Sequence, residues 1–206
     1  MPELVTHELL EKAYTYDAYW GLIRQLMAQN KTTGADHSEA MLHYTKLNMQ
    51  RMERQDAHLT LEPETIEVLK QVRARWVWLV LAEWWCGDVA QNLPAIAKMT
   101  EANPNISLRM VLRDEHPALM DQYLTNGGRS IPILICLTAS GLRELGRWGP
   151  RPQPAQQMLL DYKKDPAGRT YGQFAEELHG WYAKDKNLTI QREFRELVMD
   201  WIHVEG

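Results

Sequence analysis

The sequence is poor in cysteine, since its 206 residues contain only Cys86 and Cys136. Two cysteines are too few for the disulfide framework that stabilises many small secreted domains. They do not have the close spacing of a zinc site or of a dithiol redox motif. The seven histidines are scattered and form no metal-binding motif, and no phosphate-binding glycine motif is present. We therefore expect neither a metal nor a cofactor.

An excess of positive charge is also missing, because the formal net charge is −4. This argues against nucleic acid and anionic membranes as partners. No apolar run approaches the roughly 20 residues needed to cross a bilayer. The N-terminus lacks the cationic and apolar segments of a signal peptide. We therefore expect a cytoplasmic protein whose thiols are reduced at rest.

The most informative stretch surrounds Cys86. A continuously apolar run at 76–82 predicts a strand buried on both faces, and a helical pattern begins at about Asp88. The N–H groups and the dipole at a helix N-terminus favour a thiolate, whereas the nearby Asp88 carboxylate opposes one. Cys86 is therefore the candidate nucleophile, and an inert cysteine is the alternative.

Further strands are predicted at 106–112, 131–137 and 142–148, so the centre of the chain alternates strands and helices. Helical patterns precede and follow this centre, among them one helix capped by Thr6 that runs to about Met27. The chain thus divides into three parts within one domain. These are a helical N-terminal arm (1–69), an α/β core (70–165) and a helical C-terminal extension (166–206).

The order of these elements resembles the thioredoxin fold, a central four-stranded mixed sheet flanked by helices. Trp84-Trp85-Cys86-Gly87 is similar to the approach to the thioredoxin active site, and Pro94 lies where a proline kinks the active-site helix. Arg129-Ser130-Ile131-Pro132 is similar to the loop that carries the cis-proline. With Trp148-Gly149-Pro150-Arg151-Pro152, the W-C-G-D form also resembles a poorly characterised bacterial branch of the family.

The chain departs from the thioredoxin pattern at two positions. Val89 stands where the second active-site cysteine of the family would lie, and Val80 stands where the family carries a buried aspartate. The resemblance therefore implies a single active-site thiol that cannot complete an intramolecular disulfide cycle. Its expected partner is a protein or small-molecule thiol or disulfide.

The resemblance also implies roles for the residues around Cys86. Pro132 is the expected cis-proline, and the backbone of Ser130 and Ile131 would pair with an extended substrate segment. The remaining expected site residues are the neighbours of the thiol, Trp84, Trp85, Gly87, Asp88 and Val89, and two arginines, Arg113 and Arg129.

We expect Trp84 and Trp85 to line the groove beside the thiol, with simple packing as the alternative. Arg113 or Arg129 could pair with Asp88, stabilise a thiolate or bind a substrate carboxylate, or be solvated surface charges. Cys136 lies roughly 13 Å along its strand from Pro132, so we expect a core cysteine.

Two functions remain open at this point. In the first, Cys86 forms mixed disulfides with a bound partner, and an external thiol resolves them. In the second, the fold is a redox-inactive peptide-binding or chaperone-like module. A weaker third idea, a Cys86 dimer that shares glutathione or an iron–sulfur cluster, rests on the single thiol alone.

Overall fold

The computed structural model describes residues 4–205. The strands are β1 (Trp76–Ala82), β2 (Ile106–Leu112), β3 (Ile133–Thr138) and β4 (Glu144–Trp148). The helices are α1 (His7–Lys12), α2 (Tyr16–Ala28), α3 (Glu39–His58), α4 (Pro63–Leu69), α5 (Gly87–Glu101), α6 (Pro117–Met120), α7 (Gln153–Lys164), α8 (Tyr171–Asp185) and α9 (Leu188–Glu205). A 3₁₀ turn follows β2 at Arg113–Glu115.

The four strands form one sheet in the order β2-β1-β3-β4. β1 and β2 are parallel, and β3 is antiparallel to both β1 and β4. This mixed sheet, flanked by helices, confirms the predicted fold class. Because β1 and β2 run in the same direction, the residues that follow both strands meet at one edge of the sheet, and Cys86 lies there.

β1 forms the centre of the core, and all seven of its residues are buried. Trp76 and Trp78 point to the same face of the sheet because side chains alternate along a strand. Both indoles pack edge-on against Trp201 of α9, and Trp78 also contacts Phe194. The C-terminal helix therefore covers the core itself.

The first predicted helix is interrupted in the structure. Tyr14 forms an antiparallel backbone bridge with Met110 of β2, with hydrogen bonds of 2.8 Å in both directions. The chain must be extended at Tyr14 to make this bridge, so α1 ends at Lys12 and Thr15 caps α2. The helical periodicity of the sequence does not reveal this long-range pairing.

The helical extensions pack closely on the α/β core. α3 lies against α5, and α9 lies against α4 and β4. α7 and α8 share a small separate apolar cluster that includes Leu159, Phe174 and Tyr182. No helix among residues 4–205 is long and apolar enough to span a membrane.

Glu83 is a buried acid directly after β1. It is fully shielded from solvent, and its Oε1 accepts a 2.9 Å hydrogen bond from the backbone N–H of Asp114. This bond joins the end of β1 to the turn after β2. Burial raises the pKa of the Glu83 carboxyl, although the hydrogen bonds from Thr33 and Asp114 oppose the shift.

The raised pKa of Glu83 makes stability depend on pH. The unfolded chain releases this proton at a lower pH than the folded protein, so the penalty of the buried carboxylate grows as pH rises above the unfolded pKa. Replacing Glu83 by Gln keeps the acceptor for Asp114 and removes the penalty. We expect the stability of E83Q relative to the native protein to increase as pH rises above the pKa of an unfolded glutamate, about 4.3. Each tenfold difference in proton affinity between the folded and unfolded carboxyl contributes about 1.4 kcal/mol to this increase.

Urea unfolding at several pH values measures this difference. The control is E64Q, at an exposed glutamate of α4, where the difference from the native protein should stay constant. A relative stability of E83Q that falls as pH rises would contradict the account.

Candidate functional site

Cys86 lies at the junction of β1 and α5, where it occupies the N-cap position of the helix. Its thiol donates a 3.4 Å hydrogen bond to the backbone carbonyl of Ile131. The side chain is partly exposed, whereas Cys136 on β3 is completely buried and both cysteines are free. Cys86 is therefore the thiol that a partner can reach.

The loop opposite Cys86 contains a cis peptide bond between Ile131 and Pro132, and a second one joins Gly149 to Pro150. Gly149 has a φ of +119°, and a Cβ atom there would overlap the Pro132 carbonyl oxygen. This position therefore requires glycine for both its conformation and its close approach. The W-G-P-R-P segment is thus fitted directly against the proline loop.

Asp88 forms a buried ion pair with Arg151, with 2.5 Å between Oδ2 and Nη2. The hydroxyl of Tyr182 on α8 donates a 2.9 Å hydrogen bond to the other oxygen, Oδ1. Asn92 in turn donates to the Tyr182 hydroxyl and to the Asp88 carbonyl. One aspartate therefore links the start of α5, the segment after β4 and the C-terminal extension.

The same network controls the charge on Cys86. Burial and then the Asp88 carboxylate raise the pKa of the thiol to about 12, although Arg151 and the N–H groups of Val89 and Asp88 oppose the shift. Burial likewise raises the pKa of Asp88, against the opposing effect of Arg151. The helix N-terminus therefore does not outweigh desolvation, and the resting thiol is neutral near pH 7.

Gly87 is required because His179 of α8 lies directly on it. A Cβ at position 87 would come within 2.7 Å of the His179 ring. The Gln91 side-chain amide pairs with His179 Nδ1 at 3.0 Å and accepts from Gln55 through its Oε1. With Gln91 as donor, the imidazole proton lies on Nε2, which faces Gly87. Burial lowers the pKa of His179 to about 4, so the ring is neutral.

These residues surround a cavity of about 320 Å³, which we call the thiol pocket. Its walls come from the core around Cys86 and from both helical extensions. α3 contributes Met41, Tyr44, Asn48 and Arg51, and α8 contributes Tyr171, Ala175, Leu178 and His179. The core contributes Trp85, Cys86, Gly87, Asp88, Arg113, Arg129, Ser130, Ile131 and Arg151.

Three of the five predicted neighbours of Cys86 line this pocket, but Trp84 and Val89 do not. Trp84 is 1% exposed, stacks on Tyr19 and donates its indole N–H to the Tyr19 carbonyl. Trp85 lines the pocket, and the Arg113 guanidinium lies 4.7 Å from its ring centroid. Val89 is buried below Cys86 in the first turn of α5. Trp84 thus packs in the core, whereas the adjacent Trp85 faces the thiol pocket.

Arg113 and Arg129, for which a pair with Asp88 was one of the possible roles, form other pairs. Arg113 pairs with Asp114, and Arg129 makes a two-pronged contact with Asp121. Arg151 takes the place beside Asp88 instead. Among residues 4–205, no group of three His, Cys, Asp or Glu side chains could hold a metal ion.

Among the site residues that sequence reasoning missed are Arg51, Arg151, His179 and Tyr182. Arg151 lies in the W-G-P-R-P segment, so this motif could have indicated it as a site residue. The other three come from the helical extensions. Their distance from Cys86 along the chain left no local signal.

A family model described as thioredoxin matches residues 34–165, which is well over half of the chain. The chain belongs to the thioredoxin family. The match begins before α3, so that helix lies inside the matched region, whereas α8 lies beyond it. A search of curated proteins found no match.

Two solved structures share the fold over nearly their whole length. One is a protein of unknown function from Pseudomonas aeruginosa, with 21% identity and a TM-score of 0.60, where 95% of this chain and 98% of that chain are covered. The other is an HIV epitope-scaffold, with 19% identity, a TM-score of 0.55 and 97% of each chain covered. At these identities the likeness concerns the fold alone, and its extent includes the helical extensions.

The electrostatic link between Asp88 and Cys86 predicts the effect of D88N. Removing the carboxylate charge frees Arg151 to face the thiol, so the pKa of Cys86 should fall. We expect the midpoint of alkylation rate against pH to move down, and a midpoint lower by one pH unit gives about tenfold more thiolate at neutral pH. The measurement uses a Cys136→Ser background, and circular dichroism checks that the variant is folded. D200N, which alters an exposed acid of α9 that does not line the pocket, is the control; an unchanged or raised midpoint in D88N would contradict the link.

The contact between Gly87 and His179 predicts an interaction between their substitutions. G87A should lose about 1–3 kcal/mol of stability because its methyl group overlaps the ring. H179A should remove most of that loss, so the effects in the double variant should not add. G180A, at a position in α8 with no atom within 4 Å of a new Cβ, is the control and should not destabilise the protein. Additive losses in the free energy of urea unfolding would show that overlap with the His179 ring does not cause the loss in G87A.

Proposed function

We propose that the protein performs thiol–disulfide exchange through a mixed disulfide at Cys86. The observation that supports this proposal is the position of the thiol, which opens into a pocket beside the carbonyl of Ile131 and the Pro132 loop. A disulfide held there would present its sulfur atoms to the helix N-terminus. Membership of the thioredoxin family is consistent with this chemistry.

The exchange takes place in two balanced steps. The Cys86 thiolate attacks one sulfur of a partner disulfide, a new S–S bond forms, and the partner's other half leaves as a thiolate that takes up a proton. An external thiolate then attacks the mixed disulfide and releases Cys86. No net oxidant is consumed, because one disulfide is converted into another. Val89 and the buried Cys136 supply no nearby thiol that could resolve the intermediate internally.

The raised pKa of Cys86 determines how fast this reaction proceeds. Only the thiolate attacks, so at neutral pH a small fraction of the protein is reactive. The rate should rise about tenfold per pH unit below the pKa of the thiol. A bound partner that separates Asp88 from Arg151 would lower the pKa of Cys86 and so speed the reaction, because the arginine would then stabilise the thiolate.

A redox-inactive binding module is the second candidate function. The neutral resting thiol of Cys86 and the valine at position 89, where a second cysteine would lie, favour it. In this alternative the thiol pocket binds its ligand without covalent chemistry, and Cys86 is one lining residue among others. The two functions differ in whether a disulfide can be trapped on Cys86.

Trapping tests the proposal directly. The Cys136→Ser protein is incubated with 2-hydroxyethyl disulfide at about pH 8.5, close to the pKa of a free thiol, and its mass is measured. We expect one adduct on Cys86 that an added thiol releases. Absence of the adduct in folded protein, while the urea-unfolded protein reacts, would favour the redox-inactive module.

Position 89 provides a second test. The native protein should not reduce a small disulfide catalytically without an added thiol, because Cys86 has no resolving partner. V89C places a thiol one helical turn from Cys86 and should give measurable turnover of 2-hydroxyethyl disulfide in an assay with a reductase system. The V89A variant controls for the loss of the valine side chain. Turnover by native protein would contradict the monothiol mechanism.

A further inference from the structure

The thiol pocket is rich in positive charge. Arg51, Arg113, Arg129 and Arg151 line it, while Asp88 is its single lining carboxylate. His179, also in the wall, is neutral because burial lowers its pKa to about 4. The lining residues therefore carry a clear excess of cations around Cys86.

Three of these arginines already have carboxylate partners. Arg113 pairs with Asp114, Arg129 with Asp121 and Arg151 with Asp88. Arg51 differs, since within residues 4–205 its guanidinium forms no ion pair. Its hydrogen-bond partner is the neutral Oδ1 of Asn48, at 2.8 Å. Arg51 is thus a partly buried cation without a counter-ion.

Arg51 is also held in place beside the thiol. Asn48 is 1% exposed, and its amide donates a 2.9 Å hydrogen bond to the Trp84 carbonyl, which fixes the oxygen that orients Arg51. The Arg51 Nη1 lies 3.8 Å from the position that a Cβ on Gly87 would occupy. The guanidinium is therefore positioned next to the residue that follows Cys86.

The shape of the pocket limits what can fill it. A volume of about 320 Å³ lies at the small end of ligand sites, which span roughly 300–1,000 Å³. Residues of α3 and α8 line the same pocket as Ser130 and Ile131, which leaves little room there for an extended peptide. The Nε2–H of His179 adds a hydrogen-bond donor on the same side as Arg51. These features suit a compact ligand with an acceptor group or a negative charge.

We propose that the thiol pocket selects a low-molecular-weight thiol or disulfide that bears a carboxylate, and that Arg51 binds the carboxylate. The reactive role of the ligand's sulfur rests on the exchange chemistry proposed above, whereas the charge selectivity rests on the pocket alone. A guanidinium binds a carboxylate through charge-assisted, often bidentate hydrogen bonds. Binding there supplies the counter-ion that Arg51 lacks in the free protein.

Three disulfides of matched length test the selectivity. These are 3,3′-dithiodipropionate (anionic), 2-hydroxyethyl disulfide (neutral) and cystamine (cationic). Each rate of Cys86 modification in the Cys136→Ser background is divided by the rate for the urea-unfolded protein, which removes intrinsic differences in reactivity. We expect the corrected rate for the anion to exceed that for the cation by about tenfold or more, the size of one charge-assisted pair.

Arg51→Gln should abolish most of this preference. The matched control is R54Q, which removes an exposed arginine of the same helix that does not line the pocket. The preference should survive in R54Q. Equal corrected rates for the three disulfides in the native protein, or a preference unchanged by R51Q, would overturn the assignment.

A binding measurement separates this inference from the proposed exchange. Calorimetry with Cys86→Ser protein and 3,3′-dithiodipropionate should show saturable binding that R51Q weakens by about tenfold. Binding with this dependence but no reaction at Cys86 would refute the exchange and support the pocket's selectivity. Reaction at Cys86 without charge preference or anion binding would support the exchange and refute the selectivity.

Discussion

The buried pair of Asp88 and Arg151 is the interaction on which the site depends. It joins the W-C-G-D segment at the start of α5 to the W-G-P-R-P segment after β4. Breaking a buried pair by removing one partner typically costs about 3–5 kcal/mol, because the remaining charge is left without compensation. Tyr182 extends the pair to α8, so the C-terminal extension is attached at the same point. The two sequence motifs are therefore two halves of one structural unit.

The pair also sets the balance of charge around Cys86. Asp88 disfavours the thiolate and Arg151 favours it, so each residue restrains the effect of the other. Although Cys86 lies at a helix N-terminus, which favours a thiolate, desolvation keeps the resting thiol neutral. A ligand that changes the partner of Arg151 would change the reactivity of the thiol. This arrangement differs from a permanently activated cysteine.

The helical extensions turn the edge of a thioredoxin sheet into a pocket. α3 places Asn48 and Arg51 on one side of Cys86, and α8 places His179 on Gly87. The glycine of W-C-G-D is explained by this contact rather than by the α/β core. Both solved structures of similar fold match the chain over 95% or more of its length, in agreement with extensions that belong to the fold.

Much of the fold could be predicted because its signals are local. β1 and β2 have the predicted ends, since a continuous apolar run marks β1 and a mainly apolar run marks β2. The break at Tyr14 was missed because it depends on a distant backbone bridge to Met110. The candidate thiol Cys86 could be predicted because it lies between a strand and a helix that are both visible in the sequence. The ion pair between Asp88 and Arg151 could not, because it joins residues far apart in the chain.

The orientations of Trp84 and Trp85 show the same limit at short range. The sequence predicts both indoles beside the thiol, but the backbone at the end of β1 turns one of them into the core. There Trp84 meets Tyr19 and Trp20 of α2. The partners that decide this orientation come from the N-terminal arm, so tertiary packing and not local pattern settles it.

Direct titration of the Cys86 thiolate tests whether burial and Asp88 keep the resting thiol neutral. In the Cys136→Ser protein, absorbance in the far ultraviolet follows thiolate formation as pH is raised, and the urea-unfolded protein provides the free-thiol reference of about 8.5. We expect a midpoint above that reference in the folded protein. A midpoint at or below that of the unfolded protein would contradict it.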